Sequence, residues 1–454
     1  MISAGPYSRP DPMSNGPTPP RSPYARLLVT PAYARVLTAG LGSTLGSAIS
    51  AICLVWIVFS ATGSPLDVAL LGTAWLVAGI LFSVFGGTLV DRYDRRRLMI
   101  GADIARALAM GAVVVVLEVH GFDLVTVLAA YFVVGAFTTV FNPAEQAIVP
   151  ALVETPLVAD ANGLVRSSRS AAQFVGASLG GVLIVTLGAV VGVAANAVTF
   201  AVSAMLLLGM VVPKRSELGR TSASSYLSDV REGFRWLARA TGFLELTISA
   251  TFFNFCAAVV GTFVVVFVTV LLHGSALVFA LLLAVEVAGT GVGSLLVSRT
   301  RGVRYAGRSW TIGAGAASGA AAVLLALFPS VPVAAVCLFL IGLFGGYAGT
   351  AWLTAAQLLV PTEMQGRYFG IDALGSIAII PAAQIGGALL IEAYGVQATY
   401  LWVAVLWVFV GVMFLFPRAL ARVGYPPPGE APVTPQSGGA AVGTSESPGG
   451  TRAG

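Results

Sequence analysis

Charged residues are scarce in this sequence. Asp, Glu, Lys and Arg together make up 10% of its 454 residues, whereas apolar residues make up 57%. A soluble domain typically has about 25% charged residues. The apolar residues also form runs of about 20, the length that crosses roughly 30 Å of hydrocarbon as a helix. The composition therefore argues against a soluble enzyme and predicts an all-α membrane protein with many spans.

Residues that bind metals, form disulfides or hold phosphates are also few. The three cysteines each lie within an apolar run, and the two histidines, His120 and His273, are far apart. We therefore expect no disulfide framework and no metal site. The sequence has no G-x-x-x-x-G-K-S/T loop, which argues against ATP hydrolysis as a driving force. We expect neither a cofactor nor enzymatic activity.

Hydrophobic runs predict twelve transmembrane helices in two sets of six. The first set falls at 36–60, 67–90, 98–118, 124–146, 167–188 and 190–212, and the second at 244–271, 277–298, 309–329, 331–356, 368–391 and 397–417. The predicted domains are a disordered N-terminal tail (1–25), a six-helix bundle (26–212), a cytoplasmic linker with an amphipathic helix (213–243), a second six-helix bundle (244–417) and a disordered C-terminal tail (418–454).

The placement of arginine predicts the orientation. With the N-terminus inside, 23 of the 25 basic residues fall on the inner loops and tails, and the two exceptions are Arg106 and Arg169. The positive-inside rule then places both termini in the cytoplasm and the chain in the cell's inner (plasma) membrane. Basic charge of this kind indicates contact with anionic inner-leaflet lipid and not with nucleic acid.

The two halves of the sequence resemble each other. Leu89-Val90-Asp91-Arg92 ends the second span, and Leu296-Val297-Ser298-Arg299 ends the eighth. Gln146–Pro150 follows the fourth span, as Gln357–Pro361 follows the tenth at nearly the same offset. The pattern predicts two pseudo-symmetric bundles with a cavity between them.

One loop carries a family signature. Gly87-Thr88-Leu89-Val90-Asp91-Arg92-Tyr93-Asp94-Arg95-Arg96-Arg97 resembles the pattern G-x-L-x-D-R-x-G-R-R/K of the major facilitator superfamily, with Asp94 in place of a glycine. Asp94, Asp103-x-x-Arg106 and Phe141-Asn142-Pro143-Ala144 are similar to the drug:proton antiporter branch, which includes macrolide and siderophore exporters. The resemblance implies the fold of that superfamily and secondary transport by alternating access.

The resemblance also implies a gate, formed by Gly87, Asp91, Arg92, Arg95, Arg96 and Glu145. Asp91 would lie against the positive start of span eleven, just after Gly366-Arg367. Arg95 or Arg96 would reach Glu145 and hold the inner gate shut in the outward-open state. The alternative is a short turn whose arginines only enforce topology.

A second signature is partial. Gly176-Ala177-Ser178-Leu179-Gly180-Gly181 in span five resembles the antiporter motif G-P-x-x-G-G, with Ala177 in place of the proline. Gly176, Gly180 and Gly181 would allow tight helix packing. Packing alone explains the pattern equally well, because the pairs Gly42/Gly46, Gly289/Gly293 and Gly342/Gly346 have the same spacing.

Ionisable residues within spans are functional candidates because their burial is costly. Asp103 and Arg106 share one helix face, and we interpret them as a structural ion pair in preference to a substrate or proton site. Glu286 lies halfway along span eight with no acid or base within ten residues. Desolvation favours its protonated form, so it is either a proton-coupling site or a neutral carboxyl packed between helices. Asp372 is a second proton candidate, or part of the inner gate.

A cavity with few fixed charges suits large amphiphilic molecules. The residues predicted to line it are Phe253, Asn254, Tyr347, Trp352 and Gln384, although aromatic residues in an apolar bundle more often serve packing. The predicted function is proton-driven export of hydrophobic or amphiphilic small molecules by a monomer. The alternatives are a lysophospholipid-like lipid mover or facilitator of the same fold, and a non-transporting membrane scaffold or sensor.

Overall fold

The computed structural model describes residues 23–210, 235, 242–300, 306–360, 368, 372 and 378–416. Apart from a short 3-10 turn at Thr155–Leu157, the elements within these ranges are the following helices: α1 (Pro23–Leu28), α2 (Pro31–Thr62), α3 (Pro65–Arg92), α4 (Arg95–Val119), α5 (Leu124–Leu152), α6 (Val158–Thr186), α7 (Ala189–Leu208), α8 (Phe243–Leu271), α9 (Ala276–Arg299), α10 (Ala306–Leu327), α11 (Val331–Leu359), α12 (Ile379–Tyr394) and α13 (Val396–Met413). Two of them contain a π-helical segment, Phe267–Leu271 in α8 and Trp310–Ala317 in α10.

Ten of the described helices are long and apolar enough to cross a membrane. The prediction of an all-α membrane protein is therefore confirmed. Helix α6 is not among the ten, and its first half carries Asp160, Arg166 and Arg169. Helix α12 has 16 described residues, and residues 373–377 before it lie outside the described part of the chain. The total of twelve spans stays a prediction.

The N-terminal segment differs from the prediction. Disorder through residue 25 is wrong for its last three residues, because α1 begins at Pro23. Leu27 of α1 is fully buried, and Arg26 pairs with Glu154 at 2.7 Å, so both anchor α1 to the first bundle. Residues 1–22 and the tail 418–454 lie outside the described residues, as does nearly all of the linker 213–243 with its predicted amphipathic helix.

Side-chain caps fix where three helices of the first bundle begin. The carboxylate of Asp94 accepts a hydrogen bond from the backbone N–H of Arg97 at 2.8 Å and caps α4. Asp94 therefore supplies a helix cap at the position where the loop signature has glycine. Ser64 caps α3 in the same way. Asp123 caps α5, and the hydroxyl and backbone N–H of Thr126 hold the pKa of that carboxyl below its usual range.

The helices form two bundles with matching internal contacts. In the first bundle, α2 packs against α6 and α7, α5 packs against α3 and α4, and α4 packs against α7. The helices six places later repeat these contacts in the second bundle, since α8 packs against α12 and α13, α11 against α9 and α10, and α10 against α13. Between the bundles, α3 packs against α12, and α6 packs against α9. Because α9 is the counterpart of α3 and α12 is the counterpart of α6, these two contacts are equivalent. This is the pattern expected of an internal duplication.

Glycines bring several helices into backbone contact. A Cβ at Gly293 of α9 would collide with the carbonyl oxygen of Leu343, and one at Gly342 of α11 would collide with the carbonyl oxygen of Glu286. In α6, a Cβ at Gly176 would lie 2.6 Å from the carbonyl oxygen of Leu45 in α2. Gly180 and Gly181 of the partial antiporter motif face α2 and α9 respectively. The motif therefore lies at the contact between the two bundles as well as within the first.

The bundles meet at one face of the molecule. Consecutive helices are joined by short turns and alternate in direction, so one face, here called the arginine-rich face, carries the helix ends at Arg92, Arg95, Arg299 and Arg308. Toward the opposite face, one apolar cluster contains buried residues of both bundles, including a stack of Trp56 on Phe279 with centroids 6.2 Å apart. Toward the arginine-rich face, the described residues of each bundle form a separate cluster. The structure is therefore closed at the opposite face.

Candidate functional site

The first bundle contains a polar cavity of about 340 Å³. Ser43, Ser47 and Ser50 line it from α2 at spacings of four and three, which place them on one helix face. The other polar lining residues come from the same bundle and are Thr44, Arg106, Tyr131, Thr138, Asn142, Arg169, Gln173 and Asn196. Sequence reasoning singled out only Arg106 among these residues as a candidate, although the serine stripe was visible as a helical period.

Two ion pairs lie beside this cavity, one of them buried and the other partly buried. Arg106 pairs with Asp103 within α4, and Arg169 of α6 pairs with Glu145 of α5. The side chains of Asp103 and Glu145 are 0% and 1% exposed. Ser203 donates a further hydrogen bond to Asp103 at 2.6 Å. Two acids and two bases balance, which is the condition under which buried charges are tolerated.

Aromatic rings enclose one of the arginines. The guanidinium carbon of Arg106 lies 4.3 Å from the ring centroid of Phe141 and 4.5 Å from that of Phe200. Cation–π contacts of this kind favour the charged form and fix its position. Arg106 therefore presents a held positive charge at the wall of the polar cavity.

Glu145 does not pair with Arg95 or Arg96 in this structure, and the latch that the resemblance implies for the outward-open state stays a prediction. Arg95 donates to the carbonyl oxygen of Ala147 at 2.8 Å, and Arg96 donates to that of Leu207 at 2.8 Å, so neither reaches Glu145. Arg96 lies at the start of α4, where the last carbonyls of α7 have no partner within their own helix. Arg169 is the residue that reaches Glu145. Its position inside the predicted span 167–188 is the sequence signal that it needs a buried partner.

The rest of the predicted gate is only partly described. Arg92 is the last residue of α3 and is exposed. Gly87 and Asp91 belong to the same helix, but their side-chain environments lie outside the described part of the structure, as do Gly366 and Arg367. The contact of Asp91 with span eleven stays a prediction.

A second cavity of about 190 Å³ lies between the two bundles. Its lining is mostly apolar and includes Ile52 and Val55 of α2, Leu71 of α3 and Phe279 and Leu283 of α9. Ala51 and Tyr131 line both this cavity and the polar one, so the two spaces are contiguous. The two adjoining cavities, here called the passage, have one polar wall and one apolar wall.

Gln384 joins the two bundles at this second cavity. Its side-chain oxygen accepts a hydrogen bond from the Thr73 hydroxyl of α3 at 3.1 Å, and its nitrogen donates to the Thr262 hydroxyl of α8 at 3.2 Å. Among the residues predicted to line a cavity, Gln384 is placed at the contact between the bundles. It is 7% exposed, so its role includes packing the closed face.

The other predicted lining residues lie within the second bundle. Phe253 packs against Trp310 and Trp407 with centroids 5.3 and 5.4 Å apart, and Trp352 lies 6.2 Å from Trp310. These rings form part of the core of that bundle. Tyr347 lines a different, lateral crevice, and Asn254 is half-buried on α8.

The two acidic candidates of the second bundle differ in their surroundings. Asp372 is 7% exposed and accepts a hydrogen bond from the Thr247 hydroxyl at 3.2 Å. Glu286 of α9 is half-buried, and within the described residues its carboxyl has no hydrogen bond or ion pair. It lies one turn from Leu283, which lines the cavity between the bundles. Of the two acidic candidates, Glu286 is therefore the one on a helix that lines this cavity.

Comparison with known proteins settles the family. The model of the Major Facilitator Superfamily matches residues 36–380. The chain belongs to the major facilitator superfamily. The predicted resemblance is confirmed, and so is the prediction of a transporter in preference to an enzyme. Several curated relatives of this superfamily transporter are efflux proteins.

Two of these relatives show how low the sequence identity is. The multidrug efflux pump Tap of Mycobacterium tuberculosis is 24% identical over 404 residues, which cover 86% of this chain and 94% of the pump. Macrolide efflux protein A of Streptococcus pyogenes is 26% identical over 219 residues, which cover 47% of this chain and 53% of that protein. The chain is thus a superfamily transporter with distant relatives among multidrug and macrolide efflux proteins.

Solved structures show the same fold. A bacterial homologue of the human lysosomal transporter Spinster, in an inward-facing and unoccupied conformation, matches with a TM-score of 0.66 at 16% identity, covering 87% of this chain and 99% of that one. The nucleoside transporter NupG matches with a TM-score of 0.66 at 12% identity, covering 85% of this chain and 98% of that one. These likenesses concern the fold of the superfamily transporter.

Proposed function

We propose that this chain exports hydrophobic or amphiphilic small molecules, such as drug-like compounds or siderophore-like metabolites, by alternating access and in exchange for protons. The observation that carries the proposal is the contiguous passage with an apolar wall between the bundles and a polar wall in the first bundle. An amphiphile can place its apolar part beside Ile52 and Phe279 and its polar part beside Asn142 and Asn196. The efflux proteins among the relatives support this substrate class.

The proposed topology has twelve spans, with both termini and the arginine-rich face in the cytoplasm of an inner (plasma) membrane. The one-sided placement of arginine supports it. The structure, closed at the opposite face, then corresponds to an inward-facing state that receives substrate from the cytosol or the inner leaflet. We also propose that the gate loop, with Asp91 against span eleven, closes this face in the other state.

We propose Glu286 as the residue that exchanges the proton, with Asp372 as the second candidate. Glu286 lies one turn from Leu283 in the wall of the apolar cavity and lacks a described counter-charge, so its neutral form is favoured in this state. Its described titratable neighbour is Tyr400, whose hydroxyl donates to the carbonyl oxygen of Val260 at 2.7 Å. Rocking of the bundles would expose Glu286 to water and favour release of the proton.

The test uses the purified chain in liposomes with an acidic lumen, to which a fluorescent amphiphilic dye or a macrolide is added outside. We expect the pH gradient to drive accumulation of the compound. Glu286→Gln is expected to abolish the dependence on the gradient while downhill movement continues. Glu118→Gln, which changes an exposed acid in the last turn of α4, is the matched control.

The gate loop is tested separately. Asp91→Asn is expected to slow transport without lowering expression.

Each contrary outcome has a defined meaning. If no amphiphile moves but a labelled lysophospholipid does, the chain is a lipid mover. If neither moves and accessibility at the two faces does not respond to substrate, the chain does not transport. If Glu286→Gln keeps the dependence on the gradient of the original protein, the proton is carried elsewhere.

A further inference from the structure

The second bundle has a lateral crevice that the export cycle does not use. It has a volume of about 550 Å³, within the range of about 300–1,000 Å³ typical of small-molecule sites. Helices α9, α10 and α11 supply its lining, which consists of Leu296, Arg308, Ser309, Ile312, Gly313, Leu343, Phe344 and Tyr347. Leu296 and Ile312 are 37% and 44% exposed, so the crevice opens on the outer surface of the bundle, where a transporter meets lipid.

The backbone of α10 creates this space. Helices α9 and α11 touch through Gly293 and Gly342, whereas α10 is π-helical over Trp310–Ala317. π-Helical segments are rare and often occur at functional sites. At Gly313 a Cβ would lie no closer than 3.7 Å to Phe344, so α10 and α11 do not close on each other there. The result is an apolar slot between two helices that are otherwise packed.

The mouth of the slot is basic. Arg308 is exposed in the first turn of α10, at the arginine-rich face. Arg299, the last residue of α9, is also exposed at this face. At the same end, the hydroxyls of Thr300 and Tyr347 are hydrogen-bonded at 2.7 Å. The positive charge of Arg308 therefore lies at the arginine-rich end of a slot that is otherwise lined mostly by apolar side chains.

We propose that the crevice binds one anionic phospholipid. Its phosphate lies at Arg308 and the Ser309 hydroxyl, and an acyl chain enters the slot along Ile312 and Phe344. A zwitterionic lipid matches the slot but not the mouth, and a soluble phosphate matches the mouth but not the slot. The site is distinct from the export passage, because its lining shares no residue with either cavity described above.

The test measures which lipid the full chain retains. The protein is placed in nanodiscs of equal phosphatidylglycerol and phosphatidylcholine, released into mild detergent, and its bound lipid is counted by native mass spectrometry. We expect one phosphatidylglycerol, preferred over phosphatidylcholine by about fivefold for one arginine at the surface. Arg308→Gln removes this preference and Arg308→Lys restores most of it. Gly313→Leu fills the slot and lowers retention of both lipids.

The matched control is Arg97→Gln, which removes an exposed arginine from the arginine-rich face at the start of α4 and is expected to change nothing. Ile312→Trp narrows the slot from an exposed position and replaces Gly313→Leu if that variant does not fold. The proposal is overturned if Arg308→Gln keeps the preference for phosphatidylglycerol. It is equally overturned if Arg97→Gln weakens that preference as much as Arg308→Gln does. It is also overturned if glycerol phosphate displaces the lipid, or if narrowing the slot leaves retention unchanged.

Discussion

Asp103, Arg106 and Glu145 of the first bundle are buried charged side chains, and with the partly buried Arg169, which is 25% exposed, they form two neighbouring ion pairs. Moving a charge out of water costs several kcal/mol, and a partner charge offsets this only while both remain in place. The stability of the polar cavity therefore depends on keeping acids and bases equal in number, more than on any one hydrogen bond.

Removal of one partner is expected to cost more than removal of both. Arg169→Gln leaves the carboxylate of Glu145 buried without its counter-charge, so we expect the free energy of unfolding to fall by about 3–5 kcal/mol. The double variant Glu145→Gln, Arg169→Gln has no buried charge at this position and is expected to lose less. Unfolding in detergent micelles, followed for Arg169→Gln and for the double variant, measures the difference.

The control for this comparison is an exposed pair in the same bundle. Arg26 and Glu154 form an ion pair whose side chains are 48% and 69% exposed, so Arg26→Gln is expected to change the free energy of unfolding by at most about 1 kcal/mol. A double variant that is no more stable than Arg169→Gln alone would show that Glu145 is not left charged.

Sequence alone finds a buried pair only when the partners are neighbours on one helix. Asp103 and Arg106 are three residues apart, and that spacing already places them together. Glu145 and Arg169 lie on different helices, so their contact depends on how α5 and α6 pack. The signature implies that Arg95 or Arg96 reaches Glu145 in the outward-open state, whereas in this structure both side chains donate to backbone carbonyl groups.

At the scale of helices, α9 and α11 make the closest contact in the second bundle. Each helix contributes a pair of glycines four residues apart, and each pair lies against the backbone of the other helix. The absence of side chains lets the helices approach until main chains touch, as small residues do in membrane proteins. This contact keeps Glu286 at a fixed position relative to α11.

Gly293→Ala tests the contact. The added Cβ would meet backbone atoms of Leu343 and Tyr347, which cannot turn aside as a side chain can, so we expect a loss of about 1–3 kcal/mol in the free energy of unfolding. Gly291→Ala is the matched control, since a Cβ there meets nothing within 4 Å. It should be neutral or stabilising by about 0.5–1 kcal/mol. Equal losses in both variants would rule out the packing explanation.

The positions of the helices follow from sequence better than their details. Hydrophobic runs are local, so the predicted spans overlap the helices throughout the described residues. The glycine spacing likewise indicated close contacts. The π-helical turns of α10 and the polar first half of α6 were not predicted, because both depend on neighbouring helices and not on the local run of apolar residues.

At the scale of the whole molecule, the described structure shows one arrangement of the two bundles, and the alternating access that we propose requires a second. Its closed face is held by an apolar cluster and by the hydrogen bond from Thr73 to Gln384. The sequence predicted two related bundles, because duplication leaves repeated motifs. It could not predict which face is closed, because under alternating access one sequence adopts both arrangements, with a difference in free energy of only a few kcal/mol.

The hydrogen bond between Thr73 and Gln384 crosses from one bundle to the other, whereas that between Thr262 and Gln384 stays within the second. Thr73→Val is therefore expected to shift the equilibrium toward opening of the opposite face by about fivefold, because it removes a hydrogen bond worth roughly 1 kcal/mol. Thr262→Val, the matched control, is expected to leave this equilibrium unchanged. Labelling of an Ala51→Cys variant from the opposite face with an impermeant maleimide reports the shift, since the three native cysteines are buried. Equal labelling of both threonine variants would mean that apolar packing alone holds this face closed.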